Sequence, residues 1–350
     1  MERVKLKDIC RLINGRAYKQ EELLDSGKYP VLRVGNFFSD KDFYYSDLEL
    51  EEDKYCDNGD LLFAWSASFG PKIWDGEKVI YHYHIWKMEL TDRVNKEFLF
   101  YYLFHLSERI KSEGHGGIMI HTTKAEMEER EFNLPTHEEQ IAISEILNKV
   151  KSVIDKRKEE LSALDDLIKA RFVEMFGDPI RNTQNRPTTE FINVVRMQRG
   201  FDLPVQDRQQ DGKIPVYGSN GVLDHHNVAK IQGGGVITGR SGTIGKVFYT
   251  EGDYWPLNTS LFSVDTHGNN VIYLAYLLQL FNLTRFVEGT GVPTLNRNMF
   301  HNKQIIDAPI EEQNQFADFV HQVDKSKFAV QKTLEQTQTL FDSLMQKYFG

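Results

Sequence analysis

Apolar residues recur every seven positions along two stretches of the chain, at about 138–176 and about 311–349. A seven-residue repeat of apolar positions is typical of a helix that packs lengthwise on a second helix in a coiled coil. A shift of 173 positions superposes the two stretches without a gap and places Leu161 on Leu334. The pattern therefore predicts two equivalent long helices.

The apolar seams of these two helices have complementary interruptions. Arg157 aligns with Val330 of the second copy, and Lys327 aligns with Ile154 of the first. Because the helices are equal in length and each is polar where the other is apolar, we expect them to pack on each other in an antiparallel coiled coil. The predicted seam residues are Leu147, Val150, Ile154, Leu161, Leu164, Ile168, Val320, Val323, Val330, Leu334, Phe341 and Leu344.

The starts of the two helices differ in their expected caps. Thr136 and Glu139 form a capping-box pattern, in which each side chain satisfies a backbone donor of the other residue. The second helix has no Ser or Thr before it, so Asp307 is its expected cap. The first helix is predicted to end at Phe176, where Gly177 follows.

The segment before the first long helix has the pattern of a mixed α and β domain. Runs at 29–36, 60–66 and 78–88 are rich in aromatic and β-branched residues and predict strands. The apolar spacing at 6–13 fits a short helix, and the spacing at 98–106 fits a longer, buried helix.

The segment after the first long helix repeats this order. Gly200 follows Gly15 by 185 positions, and Ser241 follows Ser66 by 175 positions. The helical parts stay nearly in register while the β-rich parts diverge in sequence. Such divergence is expected if the copies share a scaffold and differ in what they bind.

The predicted fold class is α+β, with two β-rich domains separated by two long helices and related by a pseudo-twofold internal repeat. We expect the first domain at 1–135 and the second at 181–308. The spacer helices are expected at 136–180 and 309–350.

Composition indicates a globular protein with room for two domains, since the chain has 350 residues, of which 40% are hydrophobic. Cys10 and Cys56 are the two cysteines, and so few argue for a reducing compartment and against a disulfide scaffold. No apolar run approaches the roughly 18 residues of a membrane span. We therefore expect a soluble cytoplasmic protein.

The charge is unevenly distributed along the chain, whose net charge is -9. Residues 1–135 have 19 Lys and Arg against 25 Asp and Glu, whereas residues 181–308 have 12 against 10. A solvated surface is the favoured interpretation of the acidic excess. The acidity therefore lies on the helices and the first domain, whereas the second domain is slightly basic.

Gly239–Lys246 is superficially similar to a phosphate-binding loop. That loop requires a glycine where Arg240 stands and a Ser or Thr where Val247 stands, so nucleotide binding is disfavoured. Two interpretations stay open for this segment: a tight turn between strands, and a loop that approaches phosphates or bases.

Other candidate chemistry is weak. His82 and His84 are expected on one side of a strand, where packing or DNA contact is favoured over metal binding because no third ligand has suitable spacing. The chain has no Asn-Pro-Pro-Tyr-like methyltransferase motif, no glycine fingerprint for a methyl donor and no nuclease carboxylate cluster. We therefore expect no catalysis by this chain alone.

The duplicated frame resembles the specificity (S) subunits of type I restriction-modification systems. The resemblance extends over the whole chain and is strongest at the helix junctions Pro135–Gln140 and Pro309–Gln313 and at the turns Ser66–Gly70 and Ser241–Gly245. It implies two target-recognition domains, each reading one half of a split site in double-stranded DNA. The paired helices would set the gap and dock modification subunits, two being the expected number.

The resemblance also implies where the chemistry lies. Modification subunits would carry S-adenosylmethionine and methylate adenine, and restriction subunits can join them for cleavage. No cofactor and no metal are expected in this chain. With an acidic first domain, the S chain alone is expected to bind DNA weakly.

Candidate DNA-binding residues are polar or cationic side chains expected on loops, because such side chains read base edges and phosphates. In the first domain they are Arg16, Arg33, Asn36, Ser66, Ser68, Lys72, His115, His121, Thr122 and Lys124. In the second they are Arg199, Tyr217, Ser219, Asn220, Arg240, Ser241, Thr243, Lys246, Asn296, Arg297 and Asn298.

Two other function classes compete with this interpretation. An acidic scaffold or DNA mimic would bind the restriction-modification subunits without reading DNA, and the basic loops of the second domain argue against it. A self-contained DNA enzyme is disfavoured by the missing motifs.

Overall fold

The computed structural model describes residues 2–39, 41–66, 69–113, 122–209, 211–289 and 293–350. The chain divides into two compact units. Unit 1 comprises Met1–Lys156 and Leu334–Gly350, and unit 2 comprises Arg157–Thr333. Each unit therefore contains a β-rich part together with a portion of both long helices.

The α-helices include two of 40 residues each, which correspond to the two predicted long helices. In chain order the helices are α1 (Val34–Phe37), α2 (Lys96–Glu113), α3 (Lys124–Glu128), α4 (His137–Phe176), α5 (Phe191–Val194), α6 (Val271–Phe281) and α7 (Ile310–Phe349).

The strands of unit 1 are short and lie before α4. They are β1 (Glu2–Lys5), β2 (Cys10–Asn14), β3 (Tyr29–Leu32), β4 (Tyr44–Ser46), β5 (Tyr55–Cys56), β6 (Leu61–Ala64), β7 (Gly70–Ile73), β8 (Val79–Tyr81), β9 (Ile85–Leu90) and β10 (Glu131–Leu134).

The strands of unit 2 lie between α4 and α7. They are β11 (Thr188–Glu190), β12 (Arg196–Arg199), β13 (Ile214–Gly218), β14 (Gly221–His226), β15 (Gly235–Gly239), β16 (Val247–Thr250), β17 (Trp255–Pro256), β18 (Ser260–Asp265), β19 (Val287–Glu288), β20 (Thr294–Leu295) and β21 (Gln304–Ile306).

The two units share one sheet topology, so the internal repeat predicted from the sequence is present in the fold. A four-stranded sheet has the order β2-β9-β6-β7 in unit 1 and β12-β18-β15-β16 in unit 2. A second sheet contains a parallel pair, which is β3 with β8 in one unit and β13 with β17 in the other. In unit 1 this sheet also contains β5, whereas in unit 2 β19 and β20 form a separate two-stranded sheet.

The sheet β2-β9-β6-β7 of unit 1, like the sheet β12-β18-β15-β16 of unit 2, separates two apolar cores. Leu61 and Phe63 of β6 face the core formed with the helices, whereas Leu62 and Ala64 face the second sheet. This alternation follows from the two-residue period of a strand. Because both faces are covered, all four residues of β6 are buried, which explains its continuous apolar run.

The long helices contribute to the helix-side core of each unit. In unit 1, Leu147 and Ile154 of α4 share a cluster with Phe341 of α7, and in unit 2, Ile168 shares one with Val320. The amino-terminal half of α4 thus meets the carboxyl-terminal end of α7, as in the predicted antiparallel coiled coil. All twelve predicted seam residues are buried or half-buried.

The cap of α4 is the one expected from the sequence. The Thr136 amide donates to Glu139 Oε2 at 2.9 Å, and the Glu139 amide donates to Thr136 Oγ1 at 3.3 Å. For α7 the expected cap was wrong. The helix begins at Ile310, so Pro309 precedes it, and the Pro309 carbonyl accepts from the amides of Glu312 and Gln313.

A buried glutamine fixes the start of each long helix. Gln140 Nε2 donates to the carbonyls of Pro135 and Arg93 at 3.0 and 3.1 Å, and its Oε1 accepts from the Asn95 amide at 2.7 Å. Gln313 repeats this pattern in unit 2: its Nε2 donates to the Ala308 carbonyl and its Oε1 accepts from an amide. These bonds join the first turn of each long helix to the segment leading into α2 or α6.

Two of the strand and helix predictions were wrong in detail. Residues 6–13 form a single 3₁₀ turn, Leu6–Asp8, followed by β2, because backbone pairing of β2 with β9 outweighs a helical spacing of one turn. The run 78–88 forms two strands, β8 and β9, interrupted by a turn at 82–84. Within the described ranges, no helix is both long enough and apolar enough to cross a membrane.

Candidate nucleic-acid interface

An aromatic cluster lies in unit 1 where β6 ends and β8 turns into β9. Trp65 Nε1 donates to the Tyr83 carbonyl at 2.8 Å, and the Trp65 amide donates to the His84 carbonyl at 3.1 Å. The ring centroids of Tyr83 and His84 are 3.9 Å apart, and those of His82 and His84 are 4.9 Å apart. We call Trp65, His82, Tyr83 and His84 the aromatic cluster.

Burial favours the neutral form of both histidines in the aromatic cluster. Burial, His84 and the Arg33 guanidinium lower the pKa of His82 to about 4. Burial also lowers the pKa of His84. A neutral imidazole offers one donor and one acceptor, so each ring is able to bond to a polar group as well as stack.

A cavity of about 630 Å³ adjoins the aromatic cluster. His82 and His84 line it together with Arg33 and Asn36, two of the predicted DNA-binding residues. The Arg33 guanidinium lies 5.2 Å from the ring centroid of Tyr44, also in the lining. The cavity therefore combines a cation with aromatic rings, a combination suited to nucleobases.

Several predicted residues of unit 1 have internal partners. Arg16 forms two hydrogen bonds to the Glu22 carboxylate, at 2.7 and 2.9 Å. The Asn36 amide nitrogen donates to the carbonyls of residues 41 and 42. Lys124 Nζ donates to the Leu12 carbonyl at 2.8 Å, and Lys72 Nζ lies 3.5 Å from an Asp75 oxygen. A DNA contact by these four would compete with the internal contacts.

Three predicted DNA-binding residues are buried, which corrects their assignment to exposed loops. Ser66 and Thr122 lie in the interior of unit 1, and Thr122 Oγ1 donates to Glu126 Oε2 at 3.4 Å. Tyr217 is 8% exposed and packs edge-on against Tyr254 in unit 2, because alternate residues of β13 point into the core. Predicted residues Ser68, His115 and His121 lie outside the described residues, as does the glycine cluster at 114–117.

The segment Arg240–Lys246 connects two antiparallel strands, β15 and β16, as expected, but as a loop of seven residues and not as a tight turn. Lys246 Nζ donates to Asn220 Oδ1 at 2.8 Å. Ser219 lies beside Gly242, and Thr243 is exposed. The predicted residues Ser219, Asn220, Thr243 and Lys246 are therefore brought together at one surface, whose contact with DNA stays a prediction.

A second group of predicted residues lines a cleft of about 300 Å³ in unit 2. We call it the arginine cleft and define it by Arg199, Arg240, Glu288, Thr294, Asn296 and Arg297. The Asn296 side chain accepts from the Asn298 amide at 3.1 Å and caps the 3₁₀ turn Arg297–Met299. Ser241 bridges to Thr294, so the start of the β15–β16 connection adjoins the cleft.

The sequence pattern did not single out Trp65, Tyr83, Tyr44 or Glu288. Strand register or a turn brings each of these residues into its site, and a single sequence gives little information about either. The run of aromatic and histidine residues at 81–86 was the available signal for the aromatic cluster. Among the described residues, no group of three His, Cys, Asp or Glu side chains is arranged to hold a metal ion.

Equivalent positions of the two units hold different side chains. A Cβ atom on Gly15 would lie 2.2 Å from the Tyr81 carbonyl oxygen, and one on Gly200 would lie 2.2 Å from that of Leu257. This shared close approach aligns the units, so that Asn14 of unit 1 corresponds to Arg199 of unit 2.

The same alignment pairs Trp65, which follows β6, with Arg240, which follows β15. It also pairs Lys124 with Arg297, since each follows a capping residue and precedes a buried apolar residue by three positions. One frame thus presents two chemically different surfaces, as in a protein with two binding specificities.

A sequence profile described as "Type I restriction modification DNA specificity domain" matches residues 1–164 and again residues 182–337. These two matches cover well over half of the chain. The chain therefore belongs to this family and contains its domain twice, in agreement with the resemblance noted from the sequence.

A curated protein matches part of the chain at low sequence identity. The Type I restriction enzyme EcoBI specificity subunit of Escherichia coli is 21% identical over 169 residues, which amount to 48% of this chain and 36% of that protein. The match thus spans little more than a third of the length of this curated relative.

Two solved structures match almost the whole chain. The S subunit of a type I restriction-modification system from M. genitalium has a TM-score of 0.60 at 18% identity, covering 100% of this chain and 96% of that one. A chain from a structural study of complex assembly and conformational transition of the type I R-M system has a TM-score of 0.57 at 15% identity, covering 99% and 97%. These likenesses concern the fold.

Proposed function

We propose that this chain is the DNA-specificity subunit of a type I restriction-modification complex and catalyses nothing itself. Each β-rich domain, 1–135 and 181–308, reads one half of a bipartite site in double-stranded DNA. The main support is the duplicated frame with unlike side chains at matched positions, such as Trp65 and Arg240. A protein that reads two different half-sites needs one scaffold with two sets of contacts.

The helices α4 and α7 act as a spacer in this proposal. Each has 40 residues, which at about 1.5 Å per residue is roughly 60 Å of helix. Half-sites separated by about one turn of DNA, roughly 34 Å, present themselves on one face of the duplex. The spacer length therefore fixes the unspecified gap between the half-sites.

The partners are two modification subunits, which carry S-adenosylmethionine and methylate adenine, and restriction subunits that join for cleavage. An exposed leucine at the same place in each long helix supports two equivalent docking sites. Leu167 of α4 is 48% exposed and Leu340 of α7 is 51% exposed, and the two are 173 positions apart. Covering each with an apolar partner surface would stabilise the complex.

The test of the specificity role is a genome-wide map of methylated adenines in the host, with the gene intact and deleted. We expect deletion to remove methylation at a split motif of two short specified halves around an unspecified gap. Unchanged methylation, together with binding of the chain to modification subunits, would instead favour the acidic scaffold.

The test of the docking sites uses the substitutions Leu167→Glu and Leu340→Glu. Each is expected to weaken association with modification subunits at least tenfold, because a carboxylate would be buried at an apolar contact. Gln338→Glu, at another exposed position of α7, is the matched control. Association is measured by sedimentation velocity, and wild-type stoichiometry in both leucine variants would refute the assignment.

A further inference from the structure

The strands of unit 2 place two arginines at one end of the four-stranded sheet. Arg199 ends β12 opposite Leu261 of β18, and Gly239 ends β15 opposite Ser260 of the same strand. Arg240 directly follows Gly239. Arg199 and Arg240 therefore flank the first residues of β18, one on each side.

The third arginine of the cleft is held by the β20 segment. The Leu295 amide donates to the Arg240 carbonyl at 2.8 Å, which joins β20 to the residue after β15. Two positions later Arg297 begins a 3₁₀ turn, and its carbonyl accepts from the His301 amide at 3.0 Å. Backbone hydrogen bonds thus fix the attachment points of both Arg240 and Arg297.

These three guanidinium groups lack carboxylate partners across the ranges that the structure describes. Several arginines elsewhere are paired: Arg16 lies 2.7 Å from Glu22, and Arg186 lies 2.6 Å from Glu312. Three unpaired cations around one cleft repel one another, so the arrangement favours a ligand rich in hydrogen-bond acceptors. Donors that are already held in place in a concave site bind such a ligand at a lower entropic cost.

The presence of Glu288, at the end of β19, indicates that the ligand is a base edge and not a phosphate alone. A site for phosphate alone would gain nothing from a carboxylate in its lining, because the two anions repel. In the major groove, however, a G·C pair presents acceptors at guanine O6 and N7 and a donor at cytosine N4. Arginine donors beside one carboxylate complement that pattern.

We propose that the arginine cleft reads a G·C base pair in the half-site recognised by unit 2. Arg240 donates to guanine O6 and N7, and Glu288 accepts from cytosine N4. Arg199 and Arg297 contact the flanking phosphates. This inference rests on the proposed DNA-specificity function and names the base pair and the residues that read it.

The choice of Arg240 as the reader follows from its fixed position. Its amide donates to the Thr259 carbonyl at 2.9 Å while its carbonyl accepts from Leu295, so the backbone is held from both sides. Arg240 and Arg297 are half-buried, whereas Arg199 is exposed. A bidentate contact requires a well-oriented planar fork, and an exposed arginine suits a phosphate.

Unit 1 does not repeat this arrangement. Asn14, Trp65 and Lys124 occupy the positions that correspond to Arg199, Arg240 and Arg297. An indole in place of the central guanidinium lacks the two-donor fork that guanine requires. Recognition of a G·C pair by an arginine together with a carboxylate is therefore specific to the second half-site.

The experiment uses the full chain assembled with its modification subunits and duplexes that contain the mapped bipartite site. Each guanine of the second half-site is replaced in turn by 7-deazaguanine, which lacks the N7 acceptor, and Kd is measured at several salt concentrations. We expect one replacement to weaken wild-type binding about tenfold, while Arg240→Ala binds the normal and the modified duplex equally.

Companion variants separate base reading from charge. Arg240→Lys keeps the charge and should retain the salt dependence while losing sensitivity to 7-deazaguanine. Arg199→Ala should weaken binding to all duplexes similarly and reduce the salt slope by about 0.9. Glu288→Gln should reduce discrimination at the cytosine of the same pair. Arg196→Ala, at the other end of β12, is the matched control and should behave as wild type.

The outcomes distinguish this inference from the proposed function. Sequence-specific binding in which Arg240→Ala keeps the full response to 7-deazaguanine would overturn the G·C contact alone, as would a second half-site without G·C pairs. A wild-type complex that shows no preference for the mapped site would overturn the proposed function itself. Thermal melting of each variant establishes that the fold is retained.

Discussion

Gly15 and Gly200 lie at equivalent places in the two units, where two backbone segments pass each other at close range. At each, the space that a Cβ would need is occupied by a backbone carbonyl oxygen 2.2 Å away. Backbone atoms cannot rotate aside as the end of a flexible side chain does. The residue after each glycine forms a parallel bridge, Arg16 to His82 and Phe201 to Leu257, so the crossing positions the loops of both candidate sites.

We therefore predict that Gly15→Ala and Gly200→Ala each destabilise their unit by about 1–3 kcal/mol, as expected for overpacking. Gly252→Ala is the control, because nothing lies within 4 Å of its added Cβ, and it should leave stability nearly unchanged. Urea unfolding measures the effect. Equal midpoints for the three variants would show that the backbone shifts at little cost.

His82 makes the stability of unit 1 depend on pH. Its pKa of about 4 in the folded chain lies below the usual value of 6.5, so the unfolded chain takes up a proton first as the pH falls. Stability therefore decreases as the pH is lowered from about 6.5 to about 4 and loses this dependence below that window.

The substitution His82→Asn should flatten the pH dependence between pH 6.5 and 4, since an amide does not titrate there. Tryptophan fluorescence during urea unfolding is a suitable measurement, because Trp65, Trp74 and Trp86 report on unit 1. His225→Asn, at an exposed position of β14, is the control. An unchanged slope in His82→Asn would assign the dependence to other groups.

At the scale of elements, the buried glutamines show how the repeat is stabilised. Gln140 and Gln313 are each 1% exposed and satisfy backbone groups that no helix or strand satisfies. We predict that Gln140→Leu and Gln313→Leu each cost about 2–3 kcal/mol, because buried donors and acceptors lose their partners. Gln315→Leu, exposed on α7, is the control. Chemical denaturation compares the three.

The long helices were the most predictable elements, because a heptad pattern over about five repeats is stronger than any strand signal. Thr136 and Glu139 also identified the start of α4 correctly. Short elements were less predictable. The helix expected at 6–13 is mainly a strand, since its apolar residues are fixed by pairing with β9, which lies about 75 positions away.

The sequence identified which types of residue form the candidate sites, but not which of those residues have partners inside the protein. Sequence reasoning named Arg199, Arg240 and Arg297, and these do share one cleft. It also named Arg16 and Tyr217, which have partners inside their units. Whether a cation is paired depends on how the folded backbone orients the side chains, even for Arg16 and Glu22, which are six positions apart, and neither composition nor spacing reveals this.

For the whole molecule, the distribution of charge leads to a prediction about affinity. The net charge is -9, and many cations of unit 1 already pair with carboxylates, as Lys28 does with Glu49. Among the described residues of unit 1, few cations remain to neutralise DNA phosphates, and phosphate neutralisation supplies much of the affinity for DNA. We expect the isolated chain to bind its site weakly.

Addition of modification subunits should raise the affinity for DNA by at least about 100-fold, because the partners supply further phosphate contacts. Fluorescence anisotropy with and without partners, at matched salt, measures the change. Leu167→Glu combined with Leu340→Glu is the control, in which added partners should have little effect. Equal affinity of the wild-type chain with and without partners would contradict the proposal.

The division into units has a consequence for synthesis of the protein. Unit 2 is one continuous stretch, whereas unit 1 requires residues 1–156 and 334–350. At about 5–20 residues per second, the 177 residues of unit 2 delay the second part of unit 1 by roughly 10–35 s. During that time Leu147 and Ile154 are present on the nascent chain, but Phe341, which belongs to the same apolar cluster, has not been synthesised. The segment translated first is therefore completed last, and its exposed apolar surface lasts as long as a ribosome takes to pass through unit 2.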